Sequence, residues 1–279
     1  MAKKVFMRFP GGLGKALTLS YDDGVEQDIK LIDILNRYGL KCTFNLNSGG
    51  YAPEGHTYAP GTIHRRLSES RVTEVYANSG HEVAVHSLTH PRIAALSAAN
   101  ITYEVLQDRA NLEAQFGTIV RGMAYPYGSY SDTVVDCLRA CGIAYSRTTV
   151  STQKFDIPSD WLRMPATCHH ADPCLPELAD KFAAMKVTEL PRLFYPWGHS
   201  YEFERDDNWS IIETFAAQMG NRPDIWYATN IEIYDYVQDY GRLIWSVDQT
   251  RVTNPTARTL YLQYGPDVIE LAAGESRKL

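Results

Sequence analysis

No stretch of this 279-residue chain approaches the roughly 18 consecutive apolar residues of a membrane span; Leu31 to Leu35 and Ile211 to Met219 are short or interrupted. No secretory signal is expected either. The start, Met1-Ala2-Lys3-Lys4, is followed only by Val5-Phe6-Met7 before Arg8, so the expected location is cytoplasmic. There is no excess of positive charge: 27 Lys and Arg stand against 33 Asp and Glu, a net charge of -6, which disfavours a nucleic-acid partner. Cysteines are few and odd in number, five spread over the chain, which argues against a disulfide framework. Cys137 and Cys141 stand four apart in a predicted helix and read as small buried hydrophobes rather than a zinc site. No internal repeat or low-complexity segment is visible.

What the chain has is 44% hydrophobic and 11% aromatic residues, enough for a large core. Its patterning alternates. An apolar run at Ala16 to Ser20 precedes a helical pattern from Ile29 to Gly39, and a strand at Cys42 to Leu46 precedes a long polar loop, Asn47 to Arg66. Helix and strand signals then recur: Glu69 to Ser79 and His81 to His86, Ser97 to Phe116 and Gly122 to Tyr125, Ser131 to Ala140 and Ile143 to Thr148. After a Pro-rich loop come a helix at Pro176 to Met185 and a strand at Arg192 to Tyr195. A helix at Trp209 to Met219, a strand at Asp224 to Ala228 and a helix at Ile231 to Tyr240 follow. About seven parallel strands with crossover helices predict an α/β fold, a distorted (β/α)7 barrel over residues 1–240, with a doubly wound open sheet as the alternative. Residues 241–279 read as short strands and turns, a C-terminal β appendage.

In such a fold chemistry collects at strand ends. Asp22-Asp23 follows the first strand, and two adjacent carboxylates repel unless a cation or proton separates them, although a turn or helix cap would also explain them. His86 and His90, four apart before Pro91, can turn their rings toward one ion, and imidazoles with a carboxylate suit zinc. Tyr125-Pro126-Tyr127-Gly128, Asp160-Trp161 and Trp197-Gly198-His199 occupy the later strand ends or loops. Each has a plain reading as a turn, a cap or a packed side chain.

Together, Tyr21-Asp22-Asp23-Gly24, His86-Ser87-Leu88-Thr89-His90, Tyr125-Pro126-Tyr127-Gly128, Asp160-Trp161 and Leu193 to His199 resemble the polysaccharide deacetylases, the carbohydrate esterases that include chitin and peptidoglycan deacetylases. The resemblance runs from about residue 15 to 235. It implies Asp22 as general base, Asp23, His86 and His90 as metal ligands, and His199 as general acid. The metal would be zinc, with cobalt, nickel or manganese as substitutes. Tyr127 would supply a backbone N–H to the oxyanion, Trp161 and Trp197 would line the substrate, Asp160 would raise the pKa of His199, and Thr89 would support the imidazoles. One departure stands out. The family arginine that precedes the Pro-Tyr pair by two residues is here Ala124, and Arg163 is expected to replace it as the partner of Asp22. The implied activity is metal-dependent removal of acetyl groups from an N- or O-acetylated carbohydrate. The alternatives are an amidohydrolase acting on a small non-sugar amide, and a weakened glycan-binding protein. The expected partner is an acetylated oligosaccharide or small amide.

Overall fold

Residue pairs that alternate between buried strand and amphipathic helix build this chain, whose computed structural model describes residues 4–279. Strands β1 (Val5–Arg8), β2 (Lys15–Leu17) and β3 (Leu19–Asp22) lead into helix α1 (Gln27–Arg37). Then come β4 (Cys42–Leu46), α2 (Glu69–Tyr76), β5 (Glu82–Val85), α3 (Ala98–Phe116), β6 (Gly122–Ala124), α4 (Asp132–Ala140) and β7 (Tyr145–Ser151). The second half holds β8 (Met164–Ala166), β9 (Cys168–His169), α5 (Leu175–Ala184), β10 (Arg192–Phe194), β11 (Pro196–Gly198), α6 (Ser200–Arg205), α7 (Ser210–Met219), β12 (Ile225–Tyr227) and α8 (Asn230–Gly241). Five short strands end the chain: β13 (Ile244–Trp245), β14 (Arg251–Thr253), β15 (Leu260–Tyr264), β16 (Asp267–Leu271) and β17 (Ser276–Lys278).

Eight strands form one parallel sheet in the order β8-β7-β6-β5-β4-β3-β11-β9. The short parallel sheet β10-β2-β12 continues it, because only Thr18 separates β2 from β3 and only Tyr195 separates β10 from β11. The result is the nearly closed α/β barrel expected from the alternation. Every member of β3 and β4 is buried, the polar Ser20, Asp22, Thr43 and Asn45 included, as befits strands covered on both faces. Helix ends follow local chemistry: the Ser97 side chain accepts the Asn100 N–H to start α3, and Gly117 ends it at φ 63°, a left-handed conformation that suits glycine.

One end of the barrel is sealed. The start of α8 lies across it, with Asn230 bonded to Thr18, Thr43 and Tyr195. Buried Glu82 accepts hydrogen bonds from Thr43, Tyr145 and the Ile231 N–H. At the opposite mouth β3, β5 and β6 end. Among the described residues no helix is long and apolar enough to cross a membrane.

Two features depart from the periodicity. The Pro-rich stretch read as a loop contains β8 and β9, strands of three and two residues that are too short to show alternation. At the far end, β15 pairs with β1 as well as β16, so the C-terminal strands share a sheet with the beginning of the chain.

Candidate active site

Asp22 is the last residue of β3, and the pairing Asp22 to Asn45 on β4 brings an amide alongside it: Asn45 Nδ2 donates to Asp22 Oδ1 at 2.8 Å. Asp22 is 3% exposed, so its charge needs a partner. That partner is Arg147, whose Nη2 donates to Asp22 Oδ2 and which is itself buried. Burial alone would raise the Asp22 pKa. Arg147, His86 and His199 outweigh it and hold the carboxyl below its ordinary value.

This corrects the expectation for Arg163. That side chain is a third exposed and pairs with Asp132 at 2.6 Å and Asp160 at 2.7 Å, while Asp22 lies sealed inside the mouth. The registry explains the change. Ala124 on β6 is paired with Arg147 on β7, so the cation enters from the adjacent strand at the level of the family arginine. Trp197 covers it, with its ring 4.2 Å from the guanidinium carbon. Trp197 is thereby a buried lid on Arg147 more than an open substrate wall, and its ring also meets that of His169 edge-on.

Asp23, His86 and His90 come together as expected. Asp23 Oδ1 lies 4.0 Å from His86 Nε2 and 3.7 Å from His90 Nε2, and one donor atom from each residue falls within 4.8 Å of the others. The His86 Nδ1–H donates to the Ala124 carbonyl at 2.8 Å, which leaves the Nε2 lone pair directed at the cluster. Burial lowers the pKa of both imidazoles, that of His90 to about 4, where His86 nearby adds to the effect. Both are neutral near pH 7, the form that ligates a metal.

The backbone is strained here. Asp23, Ser87, His90 and Tyr127 are four of the eight non-glycine residues with positive φ among the described residues, at 86°, 58°, 58° and 57°. Asn47 holds the His86 turn by donating to the His86 and Ser87 carbonyls. Asp108 on α3 accepts the His86 N–H at 3.1 Å. Burial pushes the Asp108 pKa up to about 7 against its hydrogen bonds.

Support for the imidazoles therefore comes from Ala124, Asn47 and Asp108. Thr89, expected in that role, instead donates its hydroxyl and backbone N–H to Glu104 at the surface, because the turn at Ser87 aims it outward. Tyr127 is more than half exposed, with its ring edge-on to His90 at a centroid distance of 4.5 Å.

His199 follows β11. Its Nε2 is 3.8 Å from Asp22 Oδ2 and its Nδ1 is 3.4 Å from Glu202 Oε2. Burial opposes a charge on the ring, but Glu202, Asp22 and Asp23 prevail and raise its pKa. Asp160 was the expected partner and is not. Its carboxylate caps its own turn, accepting from the Leu162 N–H and Arg163. Trp161 packs edge-on against Tyr234 of α8 at 5.2 Å, and no ring contact joins it to the histidines of the mouth.

Sequence reasoning also missed His64 and Arg66 in the long loop. His64 Nε2 is 3.1 Å from Asp23 Oδ2, and Arg66 Nη2 donates to Asp23 Oδ1 at 3.2 Å. Burial opposes the Asp23 charge, but the His64 bond, with His86, His199 and Arg66, holds its pKa far below the ordinary value. The mouth thus sets an ionised carboxylate, Asp22, opposite an imidazole biased toward its charged form, His199, with three metal-competent donors beside them.

The family model of the polysaccharide deacetylases matches residues 11–146. A chitooligosaccharide deacetylase of Sinorhizobium fredii is 30% identical over 148 residues, which cover 52% of this chain and 59% of that protein. A peptidoglycan-N-acetylglucosamine deacetylase of Listeria monocytogenes is 26% identical over 124 residues, 44% of this chain and 23% of its own length. The match thus spans less than two thirds of either relative. Among solved structures, a Mycobacterium smegmatis protein provisionally assigned to the polysaccharide deacetylases superposes with a TM-score of 0.57 at 14% identity, covering 86% of this chain and 95% of that one. A family 4 carbohydrate esterase from Streptomyces lividans, in complex with acetate, gives 0.50 at 16% identity, covering 74% and 88%. At these identities the superpositions speak for the barrel fold. With the motifs at its mouth and the domain match over residues 11–146, which is just under half of the chain, this protein is similar to the polysaccharide deacetylases.

Proposed function

We propose that this protein is a metal-dependent hydrolase that removes acetyl groups from an N- or O-acetylated carbohydrate. The observation that carries the reading is the convergence of Asp22, held ionised by Arg147, and His199, biased toward its charged form, on either side of the Asp23, His86 and His90 donors. A general base and a general acid of opposite protonation state in one mouth suit hydrolysis of an amide or ester.

Asp23, His86 and His90 would hold the ion. Two neutral imidazoles and a carboxylate fit zinc, and the Nδ1–H bond to Ala124 keeps the His86 Nε2 lone pair available. Such an ion polarises an acyl carbonyl and makes water more acidic. Asp22 takes the proton from the attacking water, and Arg147 and Asn45 keep its carboxylate oriented. His199 donates from Nε2 to the departing nitrogen or oxygen while Glu202 steadies its Nδ1 side. Tyr127, turned left-handed beside His90, stands where an acetyl oxygen could meet a backbone N–H.

The substrate class rests on the named relatives, a chitooligosaccharide and a peptidoglycan-N-acetylglucosamine deacetylase. Acetate release by zinc-loaded protein from chito-oligosaccharides, acetylated xylo-oligosaccharides and small amides tests it. Release from an acetylated sugar that Asp22→Asn abolishes is the expected result. Turnover of small amides alone overturns the carbohydrate assignment, and no ion at Asp23, His86 and His90 overturns the metal-dependent mechanism.

A further inference from the structure

Behind His199, on the side away from Asp22, a second set of donors converges from three positions. His169 ends β9, His170 follows it, and Glu202 lies in α6. Glu202 Oε2 is 3.1 Å from His169 Nε2, 3.3 Å from His170 Nε2 and 3.4 Å from His199 Nδ1, and it also accepts the His199 backbone N–H at 3.2 Å. One carboxylate oxygen has two lone pairs, so it cannot serve all of these donors together.

His199 Nδ1 makes no hydrogen bond among the described residues, and His170 makes none at either nitrogen. The His170 side chain is 1% exposed. The ring stacks on Phe203 at 4.1 Å and on Tyr21 at 5.6 Å. It also packs so tightly on Gly198 that a Cβ there would sit 2.0 Å from Nδ1. Nδ1 is walled off by backbone, while Nε2 faces Glu202. A buried polar atom with no partner calls for an explanation.

We propose that His169, His170 and Glu202 form a second divalent-metal site, of zinc-binding chemistry, which competes with His199 for the Glu202 oxygen. One donor atom from each of the three residues lies within 4.8 Å of the others. A tetrahedral zinc with ligands at about 2.0–2.2 Å has edges of about 3.4 Å between ligand atoms. The two imidazole-to-carboxylate separations, 3.1 and 3.3 Å, approach that edge without rearrangement. The proton balance is simple. His169 Nδ1 accepts from the Ala171 N–H at 3.2 Å, so its Nε2 carries the hydrogen in the metal-free state. Loading moves that hydrogen to Nδ1 and turns the exposed Ala171 N–H to water. The site stands on this geometry alone; its effect on turnover rests on the proposed role of His199.

Zinc stoichiometry of the full chain, by equilibrium dialysis and metal analysis, tests the proposal in wild type, Asp23→Asn, His169→Asn and Glu202→Gln. His169 and Glu202 are partly exposed, so these changes spare the core, and circular dichroism checks folding. Two ions in wild type and one in each variant are expected, with the Ala171 amide resonance shifting only as the second equivalent binds. Zinc beyond one equivalent should slow acetate release in wild type and much less in His169→Asn. A single wild-type ion that Asp23→Asn removes overturns the second site and leaves the proposed function standing. An ion retained in Asp23→Asn, with none lost from Asp23 relative to wild type, keeps the second site and overturns the deacetylase metal centre. Two ions that persist in both His169→Asn and Glu202→Gln overturn the second site.

Discussion

From β3 to β6, the side chains of the mouth leave the end of the strand that carries them and come in close sequence pairs: Asp22 beside Asp23, His86 four residues from His90. From β7 to α6, apart from His199, the important side chains act through others. Arg147 reaches across the barrel to Asp22 from the interior of β7, and Glu202 acts through His199. The first region holds Asp22 and the three metal-competent donors, and the second supplies His199 together with the groups that set the charge of Asp22 and His199. A reacting group must stand at a fixed place in the mouth, whereas a charge can arrive from any strand whose register reaches it.

That contrast is sharpest at Asp22. Asp22→Asn should lower kcat/KM by about 10²–10⁴-fold while metal content is unchanged, because only the proposed base is lost. Retained turnover would place the base elsewhere. Arg147→Ala should destabilise the fold by about 3–5 kcal/mol in denaturant unfolding, since it leaves a buried carboxylate unpaired, and turnover should fall with it. An intermediate effect is expected at Glu202. In the proposed mechanism His199 must be protonated to act, so activity should decline as pH rises through its pKa. Glu202→Gln removes a group that raises that pKa and should move the alkaline decline to lower pH, whereas Asp160→Asn should leave it in place. The smallest effect belongs to Arg163→Ala, at the surface: within about 0.5 kcal/mol of wild type, with an unaltered pH profile. A profile shifted by Arg163→Ala would erase the distinction between the two regions.

Local pattern carried much of this. The helix and strand alternation, the two acidic residues after β3 and the His86 and His90 pair were legible from period and spacing, whereas His199 stood out only through the family resemblance. Arg147 was not. Its role depends on the pairing of β6 with β7, which puts it level with Ala124, and no periodicity within either strand reports the register between them. Glu202 left a fainter trace, standing one helical turn after His199, which places both on the same face. Asp160 and Arg163 misled because acidic and basic residues three apart in a single turn satisfy each other and have nothing left for the mouth. His64 and Arg66 arrive on a loop whose path no sequence period describes.

The sheet that joins β1 to β15 and β16 also sets an order in time. Val5 pairs with Tyr264 and Arg8 with Tyr261, so among the described strands β1 has no partner until β15 has been synthesised. At roughly 5–20 residues per second, β1 waits on the order of ten seconds to a minute while the barrel strands behind it emerge and pair. During that interval it is an unpaired edge with Val5, Phe6 and Met7 open to other chains. Nascent protein, more than the finished fold, is where this molecule is most exposed to aggregation.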